Sequence, residues 1–277
     1  MAENECKMKI SWGEYAVLVF CLSSTSFGQT LTEPAIEDNS FLIEEAYNQE
    51  ERVVQHISNL SILTPRAGSA QFSFTQEWPL FSHEHQFSYT LNYEGSGGSG
   101  AFGDFYLNYR YQLFDSEAWA AIAPRISVIL RTGSGISSSG TRRPGWQFNL
   151  PLSKRVFNDL ALHLNAGMEI DPGFSSSNPD GTAEDRTLTQ KSVGFSVIWL
   201  AKQHLNFLCE FLLTSNQEKG DDGQVTQSTQ CIFNPGVRAS VDIGSLQIVP
   251  GLGVPVRVTG DMTTAGVFFY LSFEHPF

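Results

Sequence analysis

Period-two alternation of side chains is the strongest constraint on this fold, and it is clearest in the last fifteen residues, Thr263 to Phe277. Counting back by two from the last residue gives a mostly apolar set, and the residues between them form a mixed set. The mostly apolar set is Phe277, His275, Phe273, Leu271, Phe269 and Val267. Successive side chains of a strand point to opposite faces, so this pattern predicts a long strand with one apolar face.

The same alternation recurs in ten further segments between Ala70 and Arg257, which makes eleven predicted strands. Val53 to Leu63 alternates poorly and would be the twelfth. The connections also alternate in length: five are short, and those between them are mostly longer and rich in Gly, Ser, Asn and Asp. The short connections are Pro79–Glu84, Asp115–Ala118, Lys154–Asn158, Ala201–Lys202 and Asp242–Gly244. This arrangement predicts an all-β, antiparallel up-and-down transmembrane β-barrel of about twelve strands.

The composition agrees with a barrel, whose strands are only half apolar. Hydrophobic residues make up 41% of the chain, and the mean hydropathy is −0.14. The sequence contains no run of 18 or more apolar residues, so we expect no transmembrane helix. Four tryptophans lie beside connections, where the aromatic girdles of a barrel are found: Trp78, Trp119, Trp146 and Trp199. A soluble sandwich would also alternate, but it explains the graded connections less well.

The apolar register of the last strand also bears on how the protein is assembled and where it is located. Bacterial outer-membrane barrels often end on such a strand with an aromatic residue. We therefore expect Phe269, Leu271, Phe273 and Phe277 to form the signal that the barrel-assembly machinery reads. This predicts location in the bacterial outer membrane, with its lipids and that machinery as partners.

Residues 1–28 have the pattern of a secretory signal peptide. Lys7 and Lys9 supply the positive region, Tyr15–Leu22 is the apolar region, and cleavage is expected after Gly28. Residues 29–52 are predicted to be a lead-in with a short helix over Phe41–Glu51, which could lie in the periplasm or fold into a barrel mouth. The barrel domain is then 53–277.

Charge limits the partners and suggests what lines the lumen. The formal net charge is −12, which argues against binding nucleic acid or anionic surfaces through a basic patch. Alternation places a mixed set of charges on the inward face. These are Glu77, Asp104, Arg110, Arg125, Arg131, His163, Glu169, Glu210, Arg238, Arg257 and Glu274. They could line a wet pore or form an ion-pair network that closes it, and the narrow interior of a twelve-stranded barrel favours structural pairing.

Enzyme motifs are weak in this sequence. His56-Ile57-Ser58 resembles the short H-x-S string of lipid A deacylases, but no accompanying acid is identifiable. His83-Glu84-His85 offers two ligands at i and i+2, which do not make a metal site. The sequence also lacks a phosphate loop, a redox Cys-x-x-Cys and a nucleotide fingerprint. We therefore predict no catalytic residues, no cofactor and no metal.

Cys209 and Cys231 lie on consecutive predicted strands. Folding that hairpin about Gly220 places them opposite each other and on the outward face. Opposed residues are near disulfide geometry, and the cell envelope is oxidising, so a disulfide is possible. The alternative is two small apolar residues packed against lipid, and the sequence leaves both open.

Several segments together resemble an outer-membrane family associated with the MetA pathway of phenol degradation, whose members are often called transporters. The matching segments are Phe41–Glu50, Val53–Ile57, Phe102–Phe105, Pro124–Arg125, Asn149–Lys154, Leu162–Gly167 and Asn234–Arg238. The resemblance implies uptake or efflux of small compounds, with aromatic ones among the candidates. Three hypotheses remain: a channel or transporter for small solutes, a structural or surface barrel with a plugged lumen, and a lipid-modifying membrane enzyme.

Overall fold

The computed structural model describes residues 39–64, 69–134, 143–177, 183–219 and 225–277. The predicted signal peptide and the first part of the predicted lead-in lie outside the described residues. The described chain contains sixteen β-segments. They are β1 (Val53–Thr64), β2 (Ser69–Leu80), β3 (Ser82–Ser96), β4 (Ser99–Phe102), β5 (Phe105–Tyr111), β6 (Ala121–Ile122), β7 (Arg125–Leu130), β8 (Gly145–Phe157), β9 (Leu160–Ser177), β10 (Ala183–Lys202), β11 (Leu205–Lys219), β12 (Val225–Ala239), β13 (Val241–Ile243), β14 (Leu246–Gly253), β15 (Val256–Thr259) and β16 (Met262–Pro276). No helix among the described residues is long and apolar enough to cross a membrane.

Four strands are interrupted, so the sixteen segments make twelve barrel strands. β6 and β7 keep one register on β8 and are separated by Ala123–Pro124. β14 and β15 keep one register on β12 and are separated by Val254–Pro255. Proline has no N–H to donate to a neighbouring strand, which explains both interruptions. β4 continues into β5 past Gly103–Asp104, and β12 continues into β13 past Ser240.

The sheet closes on itself because the first strand pairs with the last. The β1–β16 pairing runs without a register shift from Val53 opposite Pro276 to Thr64 opposite Ala265. Backbone donors and acceptors along this seam are therefore paired, as a barrel wall in lipid requires. The predicted all-β antiparallel barrel of twelve strands is confirmed, and the weakest predicted strand, Val53–Leu63, is its first.

The two faces of the wall differ in polarity, and β10 shows the pattern. Val193 and Phe195 point outward and are 51% and 45% exposed. Ser196 and Ile198 point inward and have no exposed surface. Phe195 stacks on Phe211 of β11, with ring centroids 5.6 Å apart, so outward aromatic rings pack along the wall. The alternation in the sequence is thus the alternation between an apolar outer face and the lumen.

The connection between β3 and β4 has a conformation that only certain residues adopt. Ser96 pairs with Ser99, so Gly97 and Gly98 form a two-residue turn. Both glycines have positive φ, 60° and 85°. Positive φ at both central residues defines the hairpin turn that matches the twist of the flanking strands.

Residues 39–52, here called the lumen segment, contain bends and turns but no helix. The predicted helix over Phe41–Glu51 is therefore wrong. A helix satisfies its N–H groups with its own carbonyls four residues earlier. In this segment side chains of the barrel wall accept those hydrogen bonds instead. Ile43 and Ala46 are buried, so the segment lies within the barrel.

Candidate functional site

A carboxylate on the barrel wall binds the first part of the lumen segment. Glu210 Oε1 accepts hydrogen bonds from three consecutive backbone N–H groups, those of Phe41 at 2.9 Å, Leu42 at 2.7 Å and Ile43 at 3.1 Å. The other oxygen, Oε2, accepts from Asn234 Nδ2 at 2.8 Å. A carboxylate makes stronger hydrogen bonds than a neutral acceptor, so Glu210 holds this end of the segment.

Two side-chain amides bind the next part of the segment in the way a neighbouring strand would. Asn165 accepts from the Glu44 N–H at 2.8 Å and donates to the Glu44 carbonyl at 2.7 Å. Gln112 accepts from the Asn48 N–H at 2.9 Å and donates to the Ala46 carbonyl at 2.6 Å. Each amide satisfies one donor and one acceptor, so the extended backbone is stable without secondary structure of its own.

Arg110 binds the part of the segment that leads back to β1. Its guanidinium donates to Asn48 Oδ1 at 2.9 Å, to the Glu45 carbonyl at 3.3 Å and to the Tyr47 carbonyl. It also donates to Gln86 Oε1 at 3.0 Å, and the same oxygen accepts from the backbone N–H of Gln49. The rigid fork of donors on arginine suits such a cluster of carbonyl acceptors.

Phe41 anchors the segment through apolar packing. Its ring lies 5.4 Å from that of Phe268 and 5.3 Å from that of Tyr270, both on β16. Two glycines on neighbouring strands, Gly236 on β12 and Gly251 on β14, give the ring its space, because a Cβ at either position would lie 2.6 Å from a ring atom. The seat for Phe41 therefore depends on glycine at both positions.

Charge also couples the segment to the wall. Arg125 binds the Glu44 carboxylate through two nitrogens, at 2.6 Å and 3.0 Å. Burial pushes the pKa of Glu44 upward, but the Arg125 guanidinium outweighs burial and holds it below its ordinary value. Burial raises the pKa of Glu45 to about 7, against the opposing attraction of Arg110. The pKa values of these neighbouring glutamates are thus shifted in opposite directions, because Arg125 outweighs burial at Glu44 and Arg110 does not outweigh it at Glu45.

A cavity of about 1190 Å³ lies between the lumen segment and the end of the barrel that carries the long loops. We call it the outer cavity. Residues Asn39–Glu45 form part of its lining, and most of the rest are inward side chains of the wall. On one side Arg131 bridges two carboxylates, Asp104 at 2.6 Å and Asp171. The mixed charge on that side is therefore paired.

The structure places the other predicted lumen residues at different depths. Glu77 accepts from Gln86 and Glu169 from Gln147, at 2.7 and 3.0 Å, and both carboxylates line the outer cavity. Arg257 also lines the outer cavity.

The remaining three predicted lumen residues lie outside the outer cavity. His163 is fully buried and bonds to Ser153, whose oxygen also accepts from the N–H of Ala46. Arg238 is 1% exposed, and Glu274 accepts from Gln55.

The predicted pairing of the two cysteines is wrong. The pairing of β11 with β12 runs from Leu205 opposite Ala239 to Lys219 opposite Val225. In this register Cys209 lies opposite Pro235 and Cys231 opposite Leu213, so the cysteines are four positions apart along the hairpin. The pairs of β11 and β12 are centred two positions beyond the predicted centre at Gly220, and such a shift moves every pair in the hairpin.

His56 and Ser58 of the H-x-S string lie on the outer face, whereas Ile57 between them lines the outer cavity. His56 Nε2 is 3.4 Å from His275 Nε2, and the His56 ring stacks on Phe74 at 6.1 Å. His83 and Glu84 are exposed at the start of β3. Over the described ranges, no group of three His, Cys, Asp or Glu side chains could hold a metal ion.

Several residues that build the site carry no charge, and the sequence does not single them out. Gln86, Gln112, Ser153 and Asn165 all face the lumen and all bind the lumen segment. Their place in the alternation assigns them to the inward face. Nothing in that pattern shows that their partner is a separate stretch of backbone.

Two solved outer-membrane proteins match this chain in structure to different degrees. The COG4313 outer membrane channel from Pseudomonas putida F1 matches with a TM-score of 0.59 at 13% identity, over 87% of this chain and 99% of that chain. The NanC porin matches with a TM-score of 0.49 at 10% identity, over 79% of this chain and 98% of that chain. The first likeness shows a shared barrel fold. No family model and no curated protein sequence matches the chain.

Proposed function

We propose that this chain is a channel or transporter for small solutes in the bacterial outer membrane. The observation that carries the proposal is the outer cavity, about 1190 Å³ in volume, inside a closed barrel. Part of its lining is the lumen segment, which is not part of the sheet. Such a segment can shift without breaking the pairing of the strands. A solute would enter the outer cavity and pass when Asn39–Arg52 moves aside.

The proposed location follows from the outer face of the wall. Apolar and aromatic side chains point outward along the strands, as Phe195 and Phe211 do, and such a surface is stable in lipid. Outer-membrane lipids and the machinery that inserts barrels are therefore the proposed partners. Residues 1–28 would direct secretion to the envelope.

Small aromatic compounds are the proposed solutes suggested by the resemblance to the MetA-pathway family. The residues in support include Phe41–Glu50 and Asn234–Arg238, which carry much of that resemblance and also build the lumen site. Phe268 and Tyr270, which line the outer cavity, provide an apolar surface for such compounds.

A structural or surface barrel with a plugged lumen is the alternative. It is favoured by the number of anchors, because seven backbone N–H groups between Phe41 and Gln49 bind wall side chains. A lipid-modifying enzyme has less support, because His56 contacts His275 and Phe74 in place of a carboxylate.

A reversible lock on the lumen segment separates the channel from the plugged barrel. Ser40 Oγ lies 2.6 Å from Ser196 Oγ on β10. Ser40→Cys with Ser196→Cys, in a Cys209→Ser, Cys231→Ser background, should form a disulfide that fixes the segment to the wall. Conductance in planar bilayers should be low when the disulfide is oxidised and should rise when it is reduced.

The single variant Ser40→Cys in the same background is the matched control, and its conductance should not respond to reductant. Equal conductance of the oxidised and reduced double variant would show that solutes do not need the segment to move. Absence of conductance in both states, with the fold intact, would favour the plugged barrel.

A further inference from the structure

Four arginines line the outer cavity, and they differ in whether a protein group binds the guanidinium. Arg131 is bound to Asp104 and Asp171, Arg125 to Glu44, and Arg110 to the backbone of the lumen segment. Arg257 is the fourth. Among the described residues it forms no ion pair, and its buried Nε has no hydrogen-bond partner.

The wall around Arg257 is neutral and partly apolar. Arg257 is on β15, opposite Ile232 of β12, and Ile232 in turn lies opposite Leu212 of β11. All three line the outer cavity, as does Pro255, which lies two positions before Arg257 and just before β15 begins. The carboxylate that lines the cavity from these strands is Glu218, which bonds to Ser228.

Other polar atoms on this side of the outer cavity also lack partners. Thr214 Oγ1, Asn216 Oδ1 and Asn59 Oδ1 are buried and make no hydrogen bond with the described part of the chain. Thr214 and Asn216 follow Leu212 on the inward face of β11. A buried polar group without a partner costs free energy, and a ligand that supplies the partner recovers it.

We infer that Arg257 is the carboxylate-binding residue of a solute subsite in the outer cavity. The ligand class is a small monocarboxylate with an apolar body. The guanidinium presents a planar fork that binds a carboxylate through two parallel hydrogen bonds. Ile232, Leu212 and Pro255 offer an apolar surface beside the guanidinium for the body of the ligand. The inference rests on the proposed function as a channel.

The balance of charge favours a single carboxylate on the ligand. One unpaired guanidinium neutralises one negative charge. A second carboxylate on the ligand would face acids that other strands contribute to the outer cavity, among them Glu94 and Glu169. Like charges repel more strongly in a confined site than in bulk water. A dicarboxylate or a polyanion is therefore expected to bind more weakly than a monocarboxylate.

Binding of benzoate to the purified full chain in detergent tests this inference without requiring transport. Calorimetric titration should give a Kd for benzoate that rises about tenfold or more in Arg257→Gln, because a charge-assisted pair of hydrogen bonds is lost. Benzyl alcohol, which is similar in size and uncharged, should bind both proteins with similar weak affinity. Arg257→Lys keeps the charge without the planar fork of donors. Its Kd for benzoate should lie between those of the wild type and Arg257→Gln.

Arg155→Gln is the matched control, because Arg155 is exposed at the end of β8 and does not line the outer cavity. It removes the same net charge and should leave benzoate binding unchanged. Equal benzoate affinity in wild type and Arg257→Gln, or no benzoate binding by the wild type, would overturn the inference.

Planar bilayers distinguish failure of the subsite from failure of the channel. Benzoate should reduce the current through the wild type and have little effect on Arg257→Gln. Current without any effect of benzoate would exclude the subsite and leave the channel in place. Binding of benzoate without any current would remove the channel and leave Arg257 as a ligand-binding residue.

Discussion

Glu210 Oε1 lies 2.7 Å from the backbone nitrogen of Leu42, a residue 168 positions earlier in the chain. The same oxygen binds the neighbouring nitrogens of Phe41 and Ile43. A single carboxylate thus replaces the partners that a helix or a strand would give these three N–H groups. The position of Phe41–Ile43 therefore depends on this wall residue more than on any local preference of the segment.

Glu210→Gln should loosen the lumen segment. The amide keeps an acceptor but loses the charge, so docking should weaken by about 2 kcal/mol. The measurement is the rate at which a maleimide labels Ser40→Cys in a Cys209→Ser, Cys231→Ser background. Ser40 is buried when the segment is docked, so faster labelling reports release. Glu218→Gln is the control, because Glu218 contacts Ser228 and not the segment. An unchanged rate in Glu210→Gln would contradict the role of this carboxylate.

Phe41→Ala and Gly251→Val should each disrupt the packing of the Phe41 ring against β16. Alanine removes the ring that packs on Phe268 and Tyr270, and valine fills the space that the ring occupies. Each change alone should raise the labelling rate of the Ser40→Cys reporter severalfold. Together they should do little more than Phe41→Ala alone, because no ring remains for the valine to displace. Additive effects would show that Gly251 acts elsewhere.

Docking of the lumen segment should weaken as the pH rises from about 5 to about 8. Burial raises the pKa of Glu45 from its ordinary 4.5 to about 7 in the docked segment. A carboxyl whose pKa is higher when docked favours the docked state while it is protonated, and that contribution is lost as pH rises through 7. Glu45→Gln should abolish this dependence. Comparing the two proteins at each pH cancels the pH dependence of the labelling chemistry.

Phe195→Arg should destabilise the barrel by about 2–4 kcal/mol if the site lies near the middle of the bilayer. Phe195 points outward near the middle of β10, whereas Gln190 on the same strand lines the outer cavity. Gln190→Arg should therefore cost much less. Urea unfolding in lipid bilayers, followed by tryptophan fluorescence, gives both free energies. Similar costs at the two positions would mean that the assigned faces are wrong.

Alternation predicted which face of each strand is apolar, because a barrel wall exposes one face to lipid and the other to the lumen. It therefore put Arg110 and Glu210 on the inward face before any contact was known. It could not predict the lumen segment, since Phe41–Glu51 has a pattern suited to a helix and its real partners are distant side chains. Alternation also could not predict the register between two strands joined by a long loop, because that register depends on which residues form the turn.

Cys231 should form a disulfide with a cysteine introduced at position 213, and should not form one with Cys209. Leu213 lies directly opposite Cys231, whereas Cys209 lies opposite Pro235. Leu213→Cys in a Cys209→Ser background should therefore lose both thiols on mild oxidation, measured by thiol labelling of the unfolded protein. Ser215→Cys in the same background is the control. Ser215 lies two positions beyond Leu213 on β11 and opposite Thr229, so it should form no disulfide with Cys231. Wild type purified without reductant should label two thiols. Fewer than two, with recovery on reduction, would mean that the hairpin closes about a different residue.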